Sequence, residues 1–396
     1  MLIDDNCQDT KNKLRVNAMK LVIVPDSFKG TMTSTEVCET IRDAALTVVP
    51  TADIVCLPMA DGGEGTTDAL LCVFGGERLY VTTTDPLGRP INTYIGISQH
   101  SGVRTAFIET AAAAGLNLVC GCLDAGAAST YGMGRLISAA LDAGCTNIII
   151  GLGGSATTDG GVGCCAALGA RFTDESGHEI PLCGNGLASL RHIDLSGLDP
   201  RLKTASLTCM CDVTNPLFGE NGAAYVYSPQ KGANPNQVRL LDAGLRNYAS
   251  VIKCELGIDV SDMPGGGAAG GLGCGLSVLL EASLKPGTDL ILDAVGYESI
   301  ISDADLIITG EGQADSQSAC GKLPYGVARR SGGKPVVLIC GAVQKGCEAL
   351  YDCGITAIFA TNPRCQSYEE ACRDCQENLR FTALNVMSLF TQIKPT

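Results

Sequence analysis

Lys20-Leu-Val-Ile-Val-Pro-Asp-Ser-Phe-Lys-Gly-Thr31, closed by Thr33-Ser-Thr-Glu36, decides the fold. The apolar run 20–24 reads as a short buried strand, and 25–31 as the loop leaving it. Thr33 and Glu36 have the spacing of a capping box. Val37, Ile41, Ala44, Ala45 and Val48 then recur at helical spacing. Asp53-Ile-Val-Cys-Leu57 is the next strand, Met59-Ala-Asp-Gly-Gly-Glu-Gly65 the next loop, and a helix begins near Thr67. Strand, helix, strand and helix in succession predict a parallel sheet.

From about residue 77 the pattern changes. Segments 79–84 and 91–97 read as strands joined through Asp85-Pro-Leu-Gly-Arg-Pro90, and 104–109 as another. Segment 129–143 reads as a helix, and Val238, Leu241, Leu245, Tyr248, Ile252 and Leu256 mark a long amphipathic one. The doubly wound pattern returns with strands at 305–309, 336–340 and 355–359. The expected class is α/β: a Rossmann-like parallel-sheet domain built from both chain ends (19–76 and 285–396), with an inserted mixed α/β domain (77–284). Residues 1–18 are polar and read as a disordered extension. The loops at 25–31, 59–65 and 310–318 leave strand ends, where such sheets bind ligands.

Among 396 residues, 45% are hydrophobic, 18% are charged and 49 are glycine, so a large core and many tight loops are expected. A net charge of −14 argues against nucleic acid or an anionic membrane as partner. The opening does not resemble a signal peptide, and no apolar run reaches the roughly 18–20 residues of a membrane span. A cytoplasmic location follows as the expectation, with the 21 cysteines as reduced thiols serving as small hydrophobes. Cys372 and Cys375 are placed on one face of a helix. Self-association of the chain into a homo-oligomer stays open.

Two glycine loops carry the clearest chemical signal. Gly151-Leu-Gly-Gly-Ser-Ala-Thr-Thr-Asp-Gly-Gly161 follows a buried strand, and Pro264-Gly-Gly-Gly-Ala-Ala-Gly-Gly-Leu-Gly273 repeats the theme. Backbone N–H groups in such loops can approach an anion closely, which points to phosphate chemistry. No P-loop motif, Gly-x-Ser-x-Gly elbow or dinucleotide fingerprint occurs, and histidine stands only at 100, 178 and 192. These absences argue against a standard P-loop protein, a Ser-His-Asp hydrolase and a nicotinamide dehydrogenase.

Other candidates have two readings each. Lys29 is either a phosphate- or carboxylate-binding cation or a solvated turn lysine. Asp61 and Glu64 either hold Mg²⁺ or cap the next helix. Arg89 clamps a carboxylate or belongs to a turn. Asp212, in Cys211-Asp-Val-Thr-Asn-Pro216, is a general base toward a substrate hydroxyl or the start of an Asx turn. The polar run Gly310-Glu-Gly-Gln-Ala-Asp-Ser-Gln-Ser318 serves a ligand or caps a helix.

Taken in order, Val24-Pro-Asp-Ser-Phe-Lys-Gly30, Ala60-Asp-Gly-Gly-Glu-Gly-Thr66, Thr84-Asp-Pro-Leu-Gly-Arg89, Gly153-Gly-Ser-Ala-Thr157, Cys211-Asp-Val-Thr-Asn-Pro-Leu217, Pro229-Gln-Lys-Gly-Ala233, Gly267-Ala-Ala-Gly-Gly-Leu-Gly273 and Thr309-Gly-Glu-Gly312 resemble the glycerate kinase family that lacks a P-loop. The resemblance covers roughly 19–390, with departures at Thr158, Gly266, Gln313 and Ala314. It implies two α/β domains with a cleft between them. It also implies ATP- and Mg²⁺-dependent phosphorylation of D-glycerate, with 2-phosphoglycerate favoured over 3-phosphoglycerate as product. Under it, Lys29 and Asp212 are the expected catalytic residues. Ser27, Arg89, Asp315, Gln317 and Ser318 would hold glycerate. Gly153, Gly154, Ser155, Thr157, Gly267, Gly270 and Gly271 would meet the nucleotide, and Asp61 and Glu64 the metal. The alternative is a nucleotide-binding regulatory protein of the same fold without turnover.

Overall fold

The computed structural model describes residues 19–393 without 60, 61, 101, 317, 320 and 321. The predicted 1–18 extension, Asp61 and Gln317 therefore lie outside the described residues. The chain divides into two compact units, one within Met1–Pro58 and Gly296–Thr396, the other within Met59–Val295.

The first unit is built on an all-parallel sheet of five strands. Their spatial order is Ala357–Ala360, Val336–Val343, Leu306–Ala314, Lys20–Pro25, Asp53–Cys56. Numbered along the chain within this unit, the order is the flavodoxin-like 2-1-3-4-5. Its switch point lies between Lys20–Pro25 and Leu306–Ala314, paired in register Leu21↔Leu306 to Pro25↔Gly310. Leu21–Val24 and Leu306–Ile308 are continuous apolar runs, as expected where helices cover both faces of the sheet. Helix Ser34–Val48 starts at the expected capping box: Thr33 Oγ1 accepts from Glu36 N, and the Glu36 carboxylate accepts from Thr33 N. Its buried stripe of Val37, Ile41, Ala44 and Ala45 shares a core with Leu379, Ala383 and Met387 of helix Cys375–Ile393.

The second unit has a mixed sheet of six strands. Ser283–Lys285, Ser206–Met210, Asn147–Gly151 and Val103–Glu109 run parallel, and the Pro90–His100 and Glu77–Thr84 strands complete it antiparallel. Helix Pro235–Leu256 opens with an Asn234–Gln237 capping box, has Pro235 in its first turn and ends at Gly257. It buries Leu241, Leu245, Tyr248 and Ile252 in the core. The structure is thus an α/β fold: a Rossmann-like parallel-sheet unit from both chain ends with a mixed α/β unit inserted.

Three details differ from the sequence reading. The unit boundaries fall at 58/59 and 295/296 rather than at 76 and 285. Helices Thr66–Phe74 and Gly287–Val295 are tied into the inserted unit by strand-end carboxylates: Thr67 N donates to Glu109 (2.6 Å), and Gly287 N to Asp212 (2.8 Å). Second, the strand expected to stop at Thr309 continues to Ala314, pairing Glu311↔Cys340 and Gln313↔Ala342. A β ladder uses backbone groups, so polar side chains do not end it. Third, Cys372 and Cys375 sit in successive helices, Tyr368–Arg373 and Cys375–Ile393, separated at Asp374. The described cysteines are free thiols, many of them buried.

Candidate active site

In the first unit, the loops after Lys20–Pro25 and within 310–322 meet at the switch point. Asp26 N donates to Gly310 O (2.8 Å), and Ser27 N to Asp26 Oδ1 (2.6 Å). A tight turn closes with Phe28 N to Met32 O at 2.8 Å and Met32 N to Phe28 O at 3.0 Å. Phe28 is buried, Ser27 half-buried, and Lys29 exposed at the tip. Fixing Phe28 in the core fixes where the Lys29 ammonium emerges.

Glu311 is buried on the facing strand, and its Oε1 has no hydrogen-bond partner among the described residues. Burial pushes its carboxyl above the ordinary range, Ser318, Lys322 and Lys29 pull it down, and Asp315 adds to the rise. Lys322 Nζ lies 3.9 Å from Glu311 and 3.7 Å from Asp315. Asp315 N donates to Ser318 Oγ (3.1 Å). This unit therefore gathers Lys29, Asp315 and Ser318 around a carboxylate that was not among the expected site residues. It is a polar site with charges of both signs.

In the second unit, the two glycine loops pack on each other. Gly160 N donates to Gly270 O (3.1 Å), and Gly267 N to Asn215 O (2.9 Å). A Cβ on Gly270 would run into the Thr157 carbonyl, and one on Gly271 would lie 2.8 Å from Gly160 Cα. Gly153 N donates to Gly62 O (2.8 Å), and a Cβ on Gly153 would lie 2.6 Å from Gly63 Cα. Gly267, Gly270 and Gly271 are buried, as are Ser155 and Thr157, whereas Gly153 is half-buried and Gly154 exposed. The glycines thus allow backbone to meet backbone, and the loop surface is the Gly153–Gly154 turn.

Asp212 follows the strand Ser206–Met210, next to the edge strand Ser283–Lys285, and is exposed, with Oδ1 receiving Gly287 N. Asn215 beside it is held by Asn221 O and the Tyr227 hydroxyl. Arg89 is committed within its turn: Nε pairs with the buried Asp85 and Nη2 donates to Leu118 O (2.9 Å). Glu64 is exposed between Gly63 and Gly65. Among the described residues no three His, Cys, Asp or Glu side chains converge on a metal site. A nucleotide-borne Mg²⁺ keeps its waters and needs only one or two protein oxygens, so Glu64 can supply one. The described residues do not form a resident metal centre.

Lys231 lies in the motif Pro229-Gln-Lys-Gly-Ala233. It is 2% exposed, and Nζ donates to Ser155 Oγ (3.0 Å) and Thr157 O (2.6 Å), pinning the first glycine loop from behind. Pro229 and Gly232 around it signal a turn, but nothing in the sequence signals burial. Burial pushes its ammonium down to about 7, with Asp159 pulling upward. In the unfolded chain it stays protonated to about 10.4. Between those values the unfolded state holds a proton that the folded state lacks, so this group's contribution to stability rises with pH. Relative to Lys231→Met, the wild type is expected to gain about 1–2 kcal/mol between pH 7.0 and 8.5. Urea unfolding of both proteins at several pH values checks it, and a flat difference would place the Lys231 pKa outside this window.

Comparison with known proteins follows the same outline. The model of the glycerate kinase family matches residues 21–391. A glycerate 2-kinase of Escherichia coli (strain K12) is 44% identical over 371 residues, covering 93% of this chain and 97% of that protein. A glycerate kinase of Bacillus subtilis (strain 168) has the same identity and coverage. The crystal structure of the Salmonella typhimurium LT2 protein described as glycerate kinase 2 superposes with a TM-score of 0.85. It is 43% identical and covers 96% of this chain and 100% of its own.

Proposed function

The chain belongs to the glycerate kinase family, and on that premise we propose that it transfers the γ-phosphoryl group of ATP to D-glycerate, giving 2-phospho-D-glycerate. The likeness to the Escherichia coli glycerate 2-kinase supports the 2-hydroxyl as acceptor. The proposed setting is glycerate, glyoxylate and sugar-acid metabolism in the cytoplasm. Among the described residues no helix is long and apolar enough to cross a membrane.

The observation that carries the reading is the switch-point cluster. Lys29, Asp315 and Ser318 surround a buried carboxylate, Ser27 stands on the same loop as Lys29, and this mix of charge and hydroxyl groups suits a hydroxy acid. Phosphoryl transfer asks mainly for positioning and charge neutralisation. Lys29 offsets charge on the transferred group. Ser27, Asp315 and Ser318 hold glycerate, with Gln317 and Arg89 as further proposed contacts. Asp212 takes the proton of the acceptor hydroxyl. The nucleotide phosphates lie against the turn at Gly153, Gly154 and Ser155. Thr157, Gly267, Gly270 and Gly271 act from behind by letting the second loop close on the first. Mg²⁺, when bound with the nucleotide, neutralises phosphate charge, with Asp61 and Glu64 as proposed ligands.

A coupled ADP-release assay with D-glycerate, followed by ³¹P NMR of the product, tests the proposal. ADP release no faster than with ATP alone would favour a regulatory nucleotide-binding protein. A 3-phosphoglycerate signal would overturn the choice of hydroxyl. Lys29→Ala should lower kcat about 10²-fold, the scale of losing one charge-stabilising donor. Its melting temperature should hold, because the side chain is exposed. Near-normal turnover would remove Lys29 from the catalytic set.

A further inference from the structure

Glu311 has no part in the phosphoryl transfer proposed above. Its side chain is 5% exposed, and Oε1 has no hydrogen-bond partner among the described residues. Buried polar atoms are almost always satisfied, so an exception at a ligand site points to a group the ligand supplies. The position fits that reading. Glu311 lies on the strand Leu306–Ala314 at the switch point, where ligands of this sheet order bind.

The surroundings restrict which group it is. Lys29 and Lys322 already supply positive charge beside Glu311, and no three metal-ligating side chains converge among the described residues. A second cation there would meet two ammonium groups. The carboxylate or phosphate of a ligand would meet Glu311 as one acceptor facing another, with Asp315 adding to the repulsion. A hydroxyl donates a hydrogen bond without adding charge, and it satisfies Oε1. D-Glycerate has two hydroxyls. Under the reading that the 2-hydroxyl reacts, one remains.

Resting on that reading, we propose that Glu311 accepts a hydrogen bond from the 3-hydroxyl of D-glycerate and so sets the specificity of the site for a dihydroxy acid. It takes no part in the phosphoryl transfer itself. A site built to hydrogen-bond a hydroxyl rejects the analogue that lacks it far more strongly than an apolar pocket rejects a missing methylene.

D-Lactate is that analogue, since it keeps the carboxylate and the 2-hydroxyl and lacks only the 3-hydroxyl. Calorimetric titration of D-glycerate and D-lactate into the wild type, Glu311→Gln and Glu311→Ala, each with ADP present, tests the proposal. The wild type should bind D-glycerate at least about tenfold more tightly than D-lactate, and in Glu311→Ala that ratio should fall to within about threefold of one. The change should come from weaker D-glycerate binding, with D-lactate nearly unaltered. Glu311→Gln keeps the side-chain volume, and a retained melting temperature shows that its fold is intact; its Oε1 still accepts but without the charge, so its ratio should also drop, by less than in Glu311→Ala. An undiminished ratio in both variants, equal weakening of both ligands, or equal binding of both by the wild type would each overturn the assignment. Turnover of D-glycerate by the wild type is read separately. Selective binding without turnover would defeat the kinase reading and leave the Glu311 contact standing, whereas turnover with an unchanged ratio would do the reverse.

Discussion

Asp159→Ala is expected to cost about 3–5 kcal/mol of folding stability, the scale of breaking a buried charged network from one side. Asp159 is fully buried at the far end of the first glycine loop. Its Oδ2 accepts from Thr130 N (2.8 Å), Thr130 Oγ1 (2.7 Å) and Gly163 N (3.3 Å), and its Oδ1 from Gly161 N (3.1 Å). Thr130 and Gly161 precede helices Tyr131–Asp142 and Val162–Ala167, and neither supplies a side-chain cap of its own. One carboxylate thus serves two helix starts that would otherwise leave donors unpaired. Burial pushes its carboxyl up while these donors pull it down. A domain holds only about 5–15 kcal/mol in all, so the loss is a large share of the total. Asp159→Asn should fare little better, because its amide group sets an N–H against existing donors. Circular dichroism followed through urea unfolding measures both. A stability within about 1 kcal/mol of wild type would show that the loop and its helices hold without this carboxylate.

Much of the fold is legible in the sequence because its signals are local. The Thr33–Glu36 capping box forms as spaced, and the apolar runs at 20–24, 147–150 and 336–340 all become buried strands. The Asp85–Arg89 turn likewise follows from its Pro and Gly. The site is less legible. A glycine in a sequence does not say whether an anion or another backbone needs the space, and Gly270 and Gly271 meet backbone. Lys231 and Glu311 look like ordinary charged residues, since burial is a property of what packs over them. Glu311 stands in the polar run 310–318, which reads as a loop, yet its backbone continues the ladder opposite Cys340. The unit boundaries at 58/59 and 295/296 rest on long-range contacts of the same kind. The contacts that draw the two flanking helices into the inserted unit, Glu109 to Thr67 and Asp212 to Gly287, join residues 42 and 75 positions apart.

Asp212→Asn should lower kcat about 10³-fold, within the range of a lost general base, while the KM for D-glycerate changes little. The structure gives Asp212 a competing structural task, because Oδ1 receives Gly287 N at 2.8 Å where helix Gly287–Val295 begins. The substitution separates the two roles. An asparagine keeps an Oδ1 that can accept from Gly287 N, so the helix start and the turn are preserved, but its amide cannot take a proton from a hydroxyl. A fall in kcat at constant melting temperature therefore reports chemistry. Asp212→Ala adds the structural loss, and the cap should cost about 1 kcal/mol more. If Asp212→Asn turned over normally while Asp212→Ala melted earlier, Asp212 would be a helix cap alone. The proton acceptor would then have to come from another carboxylate. Glu311 would become the first candidate, because burial already raises its proton affinity. A kcat loss in Glu311→Gln would identify it as the base, and unaltered kcat with reduced discrimination against D-lactate would keep it as the group that holds the second hydroxyl.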